Sequence, residues 1–264
     1  MKTNAVKATL ANGGATVGTW LSLASWASGR FLARAGFDWL TLDLEHSHAD
    51  LETAAALFAT IADSGCTALV RVPSNRHDHI KKVLDIGAQG IVVPMINSAE
   101  EALAAVEACL YPPEGNRSVG GSLPALNFQT SSADYQANAN RQILIVLQCE
   151  HRQAVERIDE ILKVGGFDAL FVGPNDLAAS YRKANGQGPT AEELNQANRT
   201  ILQACQKHGI APGYHAMTPA EGKLRLEEGW RFVAVGSDLR FLLEGAKQAL
   251  ETVGRSTASP TAKY

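Results

Sequence analysis

Short runs of β-branched and apolar residues recur along the chain, each followed by a polar stretch with helical spacing. In order they are VGTWLSL (17–23), WLTLDLE (39–45), TALVRV (67–72), GIVVPM (90–95), ILIVLQCE (143–150), ALFVGP (169–174), IAPGYHA (210–216) and FVAVGSD (232–238). Helix start signals stand between several of them. Ser98, Thr190 and Thr218 are followed three residues on by Glu101, Glu193 and Glu221, the reciprocal pattern of a capping box. Regular strand–helix alternation predicts parallel strands, because a crossover helix is the usual return to the same sheet edge. Eight such units in about 250 residues predict an α/β protein built as a single (β/α)8 TIM barrel. An open doubly wound sheet is the alternative. The barrel domain is expected to span residues 1–254, and the Ser/Thr/Pro-containing tail 255–264 is expected to be disordered.

One break in the rhythm stands out. Residues 111–140, rich in Gly, Pro, Ser and Asn, separate the fourth helix from the fifth strand. Long structureless connections are uncommon in compact domains and often functional. The segment is therefore expected on the face where barrel active sites form, held there by Tyr111, Leu123, Leu126 and Phe128.

Polar residues gather where the strands end. Asp43, Glu45, His46 and His48 crowd the end of the second strand, Arg71 the third, Gln148 and Glu150 the fifth, and Asp176 follows the sixth. Barrel enzymes place their chemistry at the C-terminal ends of strands. Residues two apart share a strand face, so Asp43 and Glu45 are expected to point inward while Leu40, Leu42 and Leu44 pack on helices. By the same rule Glu150 faces the barrel mouth and Cys149 the helix layer. A chain with only 19% charged residues does not need this clustering for solubility. It needs it for a site.

Composition narrows the classes. A net charge of −3 argues against a broad basic surface for nucleic acid or membrane. No apolar run approaches the ~18 residues of a membrane span, and the N-terminus lacks the apolar core of a signal peptide. A cytoplasmic location is the expectation. Cys66, Cys109, Cys149 and Cys205 lie far apart with no CxxC, so buried reduced thiols are expected.

Converging carboxylates repel unless protonated or bound to a cation. Glu150 and Asp176, from adjacent strands, suit a hard divalent ion, which typically takes one or two carboxylates plus waters and substrate oxygens. Arg71, always protonated, suits an oxyanion. His46, of a residue type that titrates near neutrality, suits proton transfer. Such a set can generate and protonate the enolate of a 2-keto acid.

At these residues the chain resembles the HpcH/HpaI aldolase family, the metal-dependent (class II) pyruvate aldolases acting on 4-hydroxy-2-oxo acids such as 4-hydroxy-2-oxoheptanedioate. The resemblance runs from about Gly18 to Leu250, on GTWLSL, DLEHS, RVP, VLDIGAQGIVVPM, YPPEGNRSVGG, LQCE, FVGPNDL and FVAVGSDL, in the family's order. It implies reversible cleavage to pyruvate, or a close 2-oxo acid, and an aldehyde through a metal-bound enolate, with Mg²⁺, Mn²⁺ or Co²⁺ as cofactor. It implies that His46 is the acid/base, Arg71 the enolate-stabilising group, and Glu150 and Asp176 the metal ligands. Trp20, Gln148, Gly173 and Pro174 are carried over as substrate-binding residues. Asp85 matches an aspartate that supports the catalytic histidine from a neighbouring subunit. The family is hexameric, so a homo-oligomer is expected, with residues 238–252 as a helix packed on a neighbour.

Two positions depart from the family pattern: His48, where members often carry Pro, and His215, at a position variable in the family. Either is a candidate for setting which aldehyde is accepted, and for His215 a satisfied structural histidine is an equal alternative. Acyl-CoA lyases of the citrate lyase beta type, sharing fold and metal chemistry, are the alternative. A phosphate-binding barrel isomerase is another, because Gly236 precedes a helix start that could hold an anion. A barrel that binds a metal or small acid without catalysis is the third. A Schiff-base aldolase is disfavoured, since no lysine falls at a strand end.

Overall fold

The computed structural model describes residues 1–255. Strands β1 (Thr16–Leu21), β2 (Trp39–Asp43), β3 (Thr67–Arg71), β4 (Gly90–Val93), β5 (Leu144–Cys149), β6 (Ala169–Val172), β7 (Ala211–Ala216) and β8 (Phe232–Ser237) form one closed barrel in chain order. Every pairing is parallel, including β8 on β1. The barrel expected from the sequence is the fold. All but the first residue of the tail for which disorder is expected lies outside the described residues.

Period-2 alternation sorts the strand residues into two cores. Leu40, Leu42, Ile145, Leu147 and Cys149 point outward into the layer between strands and helices. Trp39, Leu69, Leu144, Val146, Phe171 and Phe232 fill the barrel interior. Trp39 stacks on Phe232 with ring centres 4.1 Å apart. It can do so because Gly18 faces it, where a Cβ would stand 2.1 Å from the indole. The N-terminal helix Ala5–Ala11 closes the base of the barrel with Val6 and Leu10.

The helix start signals are real, in two variants. Thr190 forms the complete capping box with Glu193. Ser98 and Thr218 cap their helices too, but Glu101 and Glu221 reach one residue further back, to the N–H of Asn97 and Met217. The four cysteines are free and buried, as expected. No helix among the described residues is long and apolar enough to cross a membrane.

The segment 111–140 corrects an expectation. It is neither structureless nor at the active face. It holds the helices Leu123–Asn127 and, from Ser132, most of Ser132–Gln142. Asn127 donates to the carbonyl of Gly87 and accepts from the amide of Gln89, just ahead of β4, while Phe128 accepts from the N–H of Lys2. These contacts lie at the N-terminal ends of the strands. The physical reason is direction: a helix-to-strand connection must return to where the next parallel strand begins. The active face is built from strand-to-helix connections instead.

Candidate active site

At the C-terminal ends of the strands lies a cavity of about 410 Å³. Trp20, His46, Arg71, Gln148, Glu150, Gly173, Pro174 and Asp176 all line it. Of the nine residues given roles by the family resemblance, only Asp85 is missing, and Glu45 and His48 of the crowded β2 end are not among the lining residues either. Asp85 ends the helix His77–Asp85 ahead of β4, at the opposite face, where Arg117 Nη2 meets its Oδ1 at 2.8 Å.

Asp43, inward-facing as strand alternation predicts, organises the site. Its Oδ1 accepts from the N–H groups of Glu45 (3.0 Å) and His46 (3.3 Å), which bends the chain after β2. The same carboxylate takes Arg71 in a two-point clamp, Nε to Oδ1 at 2.9 Å and Nη2 to Oδ2 at 2.6 Å. Neighbouring register delivers this pair, because Asp43 on β2 lies beside Arg71 on β3. One buried aspartate thus fixes both the guanidinium and the loop carrying His46.

The third arm of Arg71, Nη1, lies 2.9 Å from Glu45 Oε2, at ionic distance but without hydrogen-bond alignment. The guanidinium also lies over the Trp20 ring, 4.7 Å from its centre. Burial works against its charge, but Asp43, Glu45 and Glu150 outweigh that and hold its pKa above the ordinary arginine value. Glu45 is pushed up from the usual carboxylate range by burial, with Arg71 and His46 opposing. His46 stands further out, its side chain 54% exposed and its Nε2 3.9 Å from Glu45 Oε2.

Glu150 is the buried acid of the site. Its Oε1 accepts from the Met95 N–H at 2.8 Å, and its Oε2 from the Gln148 amide at 2.9 Å. Met95 reaches it from the left-handed region, φ +56°, a conformation a side chain this size rarely adopts. Gly173 must lack a side chain, since a Cβ there would stand 2.4 Å from Glu150 Oε2. Burial raises the Glu150 pKa to about 7, with the Met95 N–H and Arg71 opposing and the Asp176 and Glu45 charges adding to the rise. Asp176 enters from the first turn of the helix Pro174–Ser180, where a negative charge suits the helix dipole.

Among the described residues no group of three His, Cys, Asp or Glu side chains is arranged to enclose an ion. Two carboxylates bordering a cavity, one of them raised by burial and by its neighbour's charge, are a different arrangement. Beside them the buried Gln148 Oε1 has no hydrogen-bond partner. Hard oxygen donors with an open side fit a divalent ion that completes its shell with water and substrate. Glu150 and Asp176 fit the group.

The family model described as HpcH/HpaI aldolase/citrate lyase matches residues 16–244. The chain belongs to the HpcH/HpaI family. Within it, the chain is 38% identical to a 4-hydroxy-2-oxo-heptane-1,7-dioate aldolase of Klebsiella pneumoniae subsp. pneumoniae, over 92% of this chain and 91% of the relative. It is likewise 38% identical to a hydroxypyruvate/pyruvate aldolase of Roseovarius nubinhibens, over 94% and 96%. A solved HpcH/HpaI aldolase/citrate lyase family protein from Burkholderia cenocepacia superimposes with a TM-score of 0.87 at 33% identity, covering 96% of this chain and all of that one.

The geometry around Arg71 yields a prediction. Arg71→Lys keeps the charge but loses the planar fork that Asp43 grips, leaving the carboxylate only one of its two contacts. Turnover is expected to fall about 10²-fold, the cost of a misplaced oxyanion donor. Steady-state kinetics check it, and a near-normal kcat would show that Arg71 only attracts anions.

Proposed function

We propose that this HpcH/HpaI family member is a divalent-metal-dependent aldolase, a carbon–carbon lyase that reversibly cleaves 4-hydroxy-2-oxo acids to pyruvate, or a close 2-oxo acid, and an aldehyde. The observation that carries it is the convergence at one mouth of Glu150 and Asp176, an arginine clamped by Asp43, and a histidine on the next turn. Glu150 and Asp176 hold the cation, which supplies Lewis-acid polarisation of the keto acid when bound.

The chain's own groups do the rest. In the cleavage direction His46 accepts the proton of the C4 hydroxyl, the C3–C4 bond breaks, and the electron pair moves onto the keto acid as its enolate. Arg71 opposes the negative charge that grows on the keto oxygen, and being pre-positioned it needs no reorganisation. A proton returned to C3 gives the 2-oxo acid, and the carbonyl formed at C4 leaves as the aldehyde. Gln148, Trp20, Gly173 and Pro174 shape the floor that receives the keto acid. Asp85 cannot act on His46 within its own chain; its proposed support of that histidine requires a second copy of the protein.

Mixing the protein with pyruvate, an aldehyde and Mg²⁺ or Mn²⁺ tests the reading directly: a new carbon–carbon bond is expected. A second result separates this chemistry from a Schiff base. Lys247 is a lysine that does line the cavity, from the helix Asp238–Thr252. Its side chain is 57% exposed and its Nζ lies 3.8 Å from Glu251 Oε1, an ion-paired, solvated position unlike the desolvated pocket of a Schiff-base lysine. Borohydride treatment in the presence of pyruvate is expected to leave activity and mass unchanged. A reduced pyruvyl adduct on Lys247 in the mass spectrum would overturn the enolate mechanism.

A further inference from the structure

His215 lines the same cavity, and nothing in the reaction above uses it. Its imidazole stacks on the indole of Trp20, with centres 5.5 Å apart and planes 13° from parallel. That indole is the one beneath the Arg71 guanidinium, and Phe171 leans on the imidazole from another side, 6.3 Å away. The ring's edge is also fixed. Nε2 lies 3.2 Å from the carbonyl oxygen of Gly236. A carbonyl can only accept, so the proton sits on Nε2.

Burial pushes the His215 pKa down to about 4, with Arg71 adding to the fall and the Gly236 carbonyl, Glu221 and Asp43 opposing it. The ring is therefore neutral near pH 7, and Nδ1 carries a lone pair. Among the described residues no donor hydrogen-bonds to Nδ1. A neutral acceptor is held in one tautomer and one orientation on the wall of a site otherwise furnished with an arginine and carboxylates.

We infer that His215 is a specificity residue of the proposed aldol reaction, accepting at Nδ1 a hydrogen bond from a hydroxyl group of the substrate. The inference rests on the aldolase reading. Substrates of that reaction are anionic keto acids and neutral or anionic aldehydes, in which the available donor is a hydroxyl. Besides the C4 hydroxyl, whose proton goes to His46 in the proposed reaction, it has two sources: a hydroxyl on C3 of the 2-oxo acid, or one borne by the aldehyde. A methyl or hydrogen in its place leaves a desolvated lone pair unmet, which is how a site built for a hydroxyl rejects its deoxy analogue.

Two matched pairs distinguish the sources, with Mg²⁺ present throughout. Hydroxypyruvate is compared with pyruvate against one aldehyde, and glycolaldehyde with acetaldehyde against one 2-oxo acid. The wild-type enzyme is expected to favour the hydroxylated member of at least one pair in kcat/KM. His215→Phe keeps an aromatic ring on Trp20 but removes the acceptor, and it should reduce that preference about tenfold. The same reduction is expected of His215→Leu. Because each pair's intrinsic reactivity is common to wild type and variant, the change in ratio reports the contact. The pair whose ratio moves identifies the hydroxyl. No hydroxyl preference in the wild type overturns the inference without any variant. An equal loss for all four compounds overturns it too, since His215 would then only prop Trp20. If the wild type joins none of them, the aldolase reading falls, and this inference with it.

Discussion

Removing divalent cations with EDTA is expected to abolish nearly all aldol activity, and Mg²⁺, Mn²⁺ or Co²⁺ to restore it. Lewis-acid polarisation contributes several kcal/mol to a transition state, and each 1.36 kcal/mol is about tenfold in rate. Glu150→Gln keeps the shape of the side chain and deletes the charge. It should weaken metal binding and activity together, with partial rescue by excess cation, and Asp176→Asn should behave alike. Cys149→Ser should change little, because that side chain lies in the outer core. The raised pKa of Glu150 adds a pH signature. Its carboxyl lies at about 7 against an ordinary 4.5, so the metal-free fold favours the protonated form. Stability of the metal-free protein should therefore fall as pH climbs from 4.5 through about 7. A cation needs the ionised form, so its affinity should drop by up to about tenfold per unit as pH falls below 7. Melting curves and calorimetric titrations across this range check both signs. Full turnover by demonstrably metal-free enzyme would sink the mechanism.

The barrel was legible because each strand is buried on both faces and reads as a nearly continuous apolar run. The site was legible for a related reason: in such strands a polar residue at the C-terminal end has no structural excuse. Glu150 and Arg71 stood out on this ground alone. Asp43 is legible as an inward residue, from its alternation with Leu40, Leu42 and Leu44, but its work is not. That work depends on the register of β2 against β3, which one strand's sequence does not contain. His215 is ambiguous in the sequence for the same kind of reason. A histidine in an apolar strand reads as core packing until its partners, Trp20 and the Gly236 carbonyl, are seen. The wall contributed by the helix Asp238–Thr252, including Leu239, Arg240, Leu243 and Lys247, was not anticipated. Helix residues reach a barrel mouth only when the helix leaning over it is known. The misplaced segment 111–140 was an error of direction rather than of composition, since its turn-rich sequence looks the same at either end of a barrel.

His46→Ala is expected to lower aldol cleavage by ~10²–10⁴-fold, the usual contribution of a positioned acid–base group. The structure says why the loss should be confined to proton transfer. His46 sits on the turn after β2, held through its backbone N–H by Asp43, with its side chain 54% exposed at the mouth. The proposed ligands of the cation are held by other contacts, the Met95 N–H and the Gln148 amide on Glu150, and the helix start carrying Asp176. Deleting the imidazole disturbs neither, so the dissociation constant for Mg²⁺ should stay within about twofold, because truncating an exposed side chain away from such contacts usually changes energies by under 0.5 kcal/mol. Asp43→Ala provides the internal control. It releases both the Arg71 clamp and the His46 turn, and its effect should be non-additive with His46→Ala, since the two act as a unit. If His46→Ala instead loses metal affinity in step with activity, the histidine is a ligand, and the acid–base role must pass to another group at the mouth.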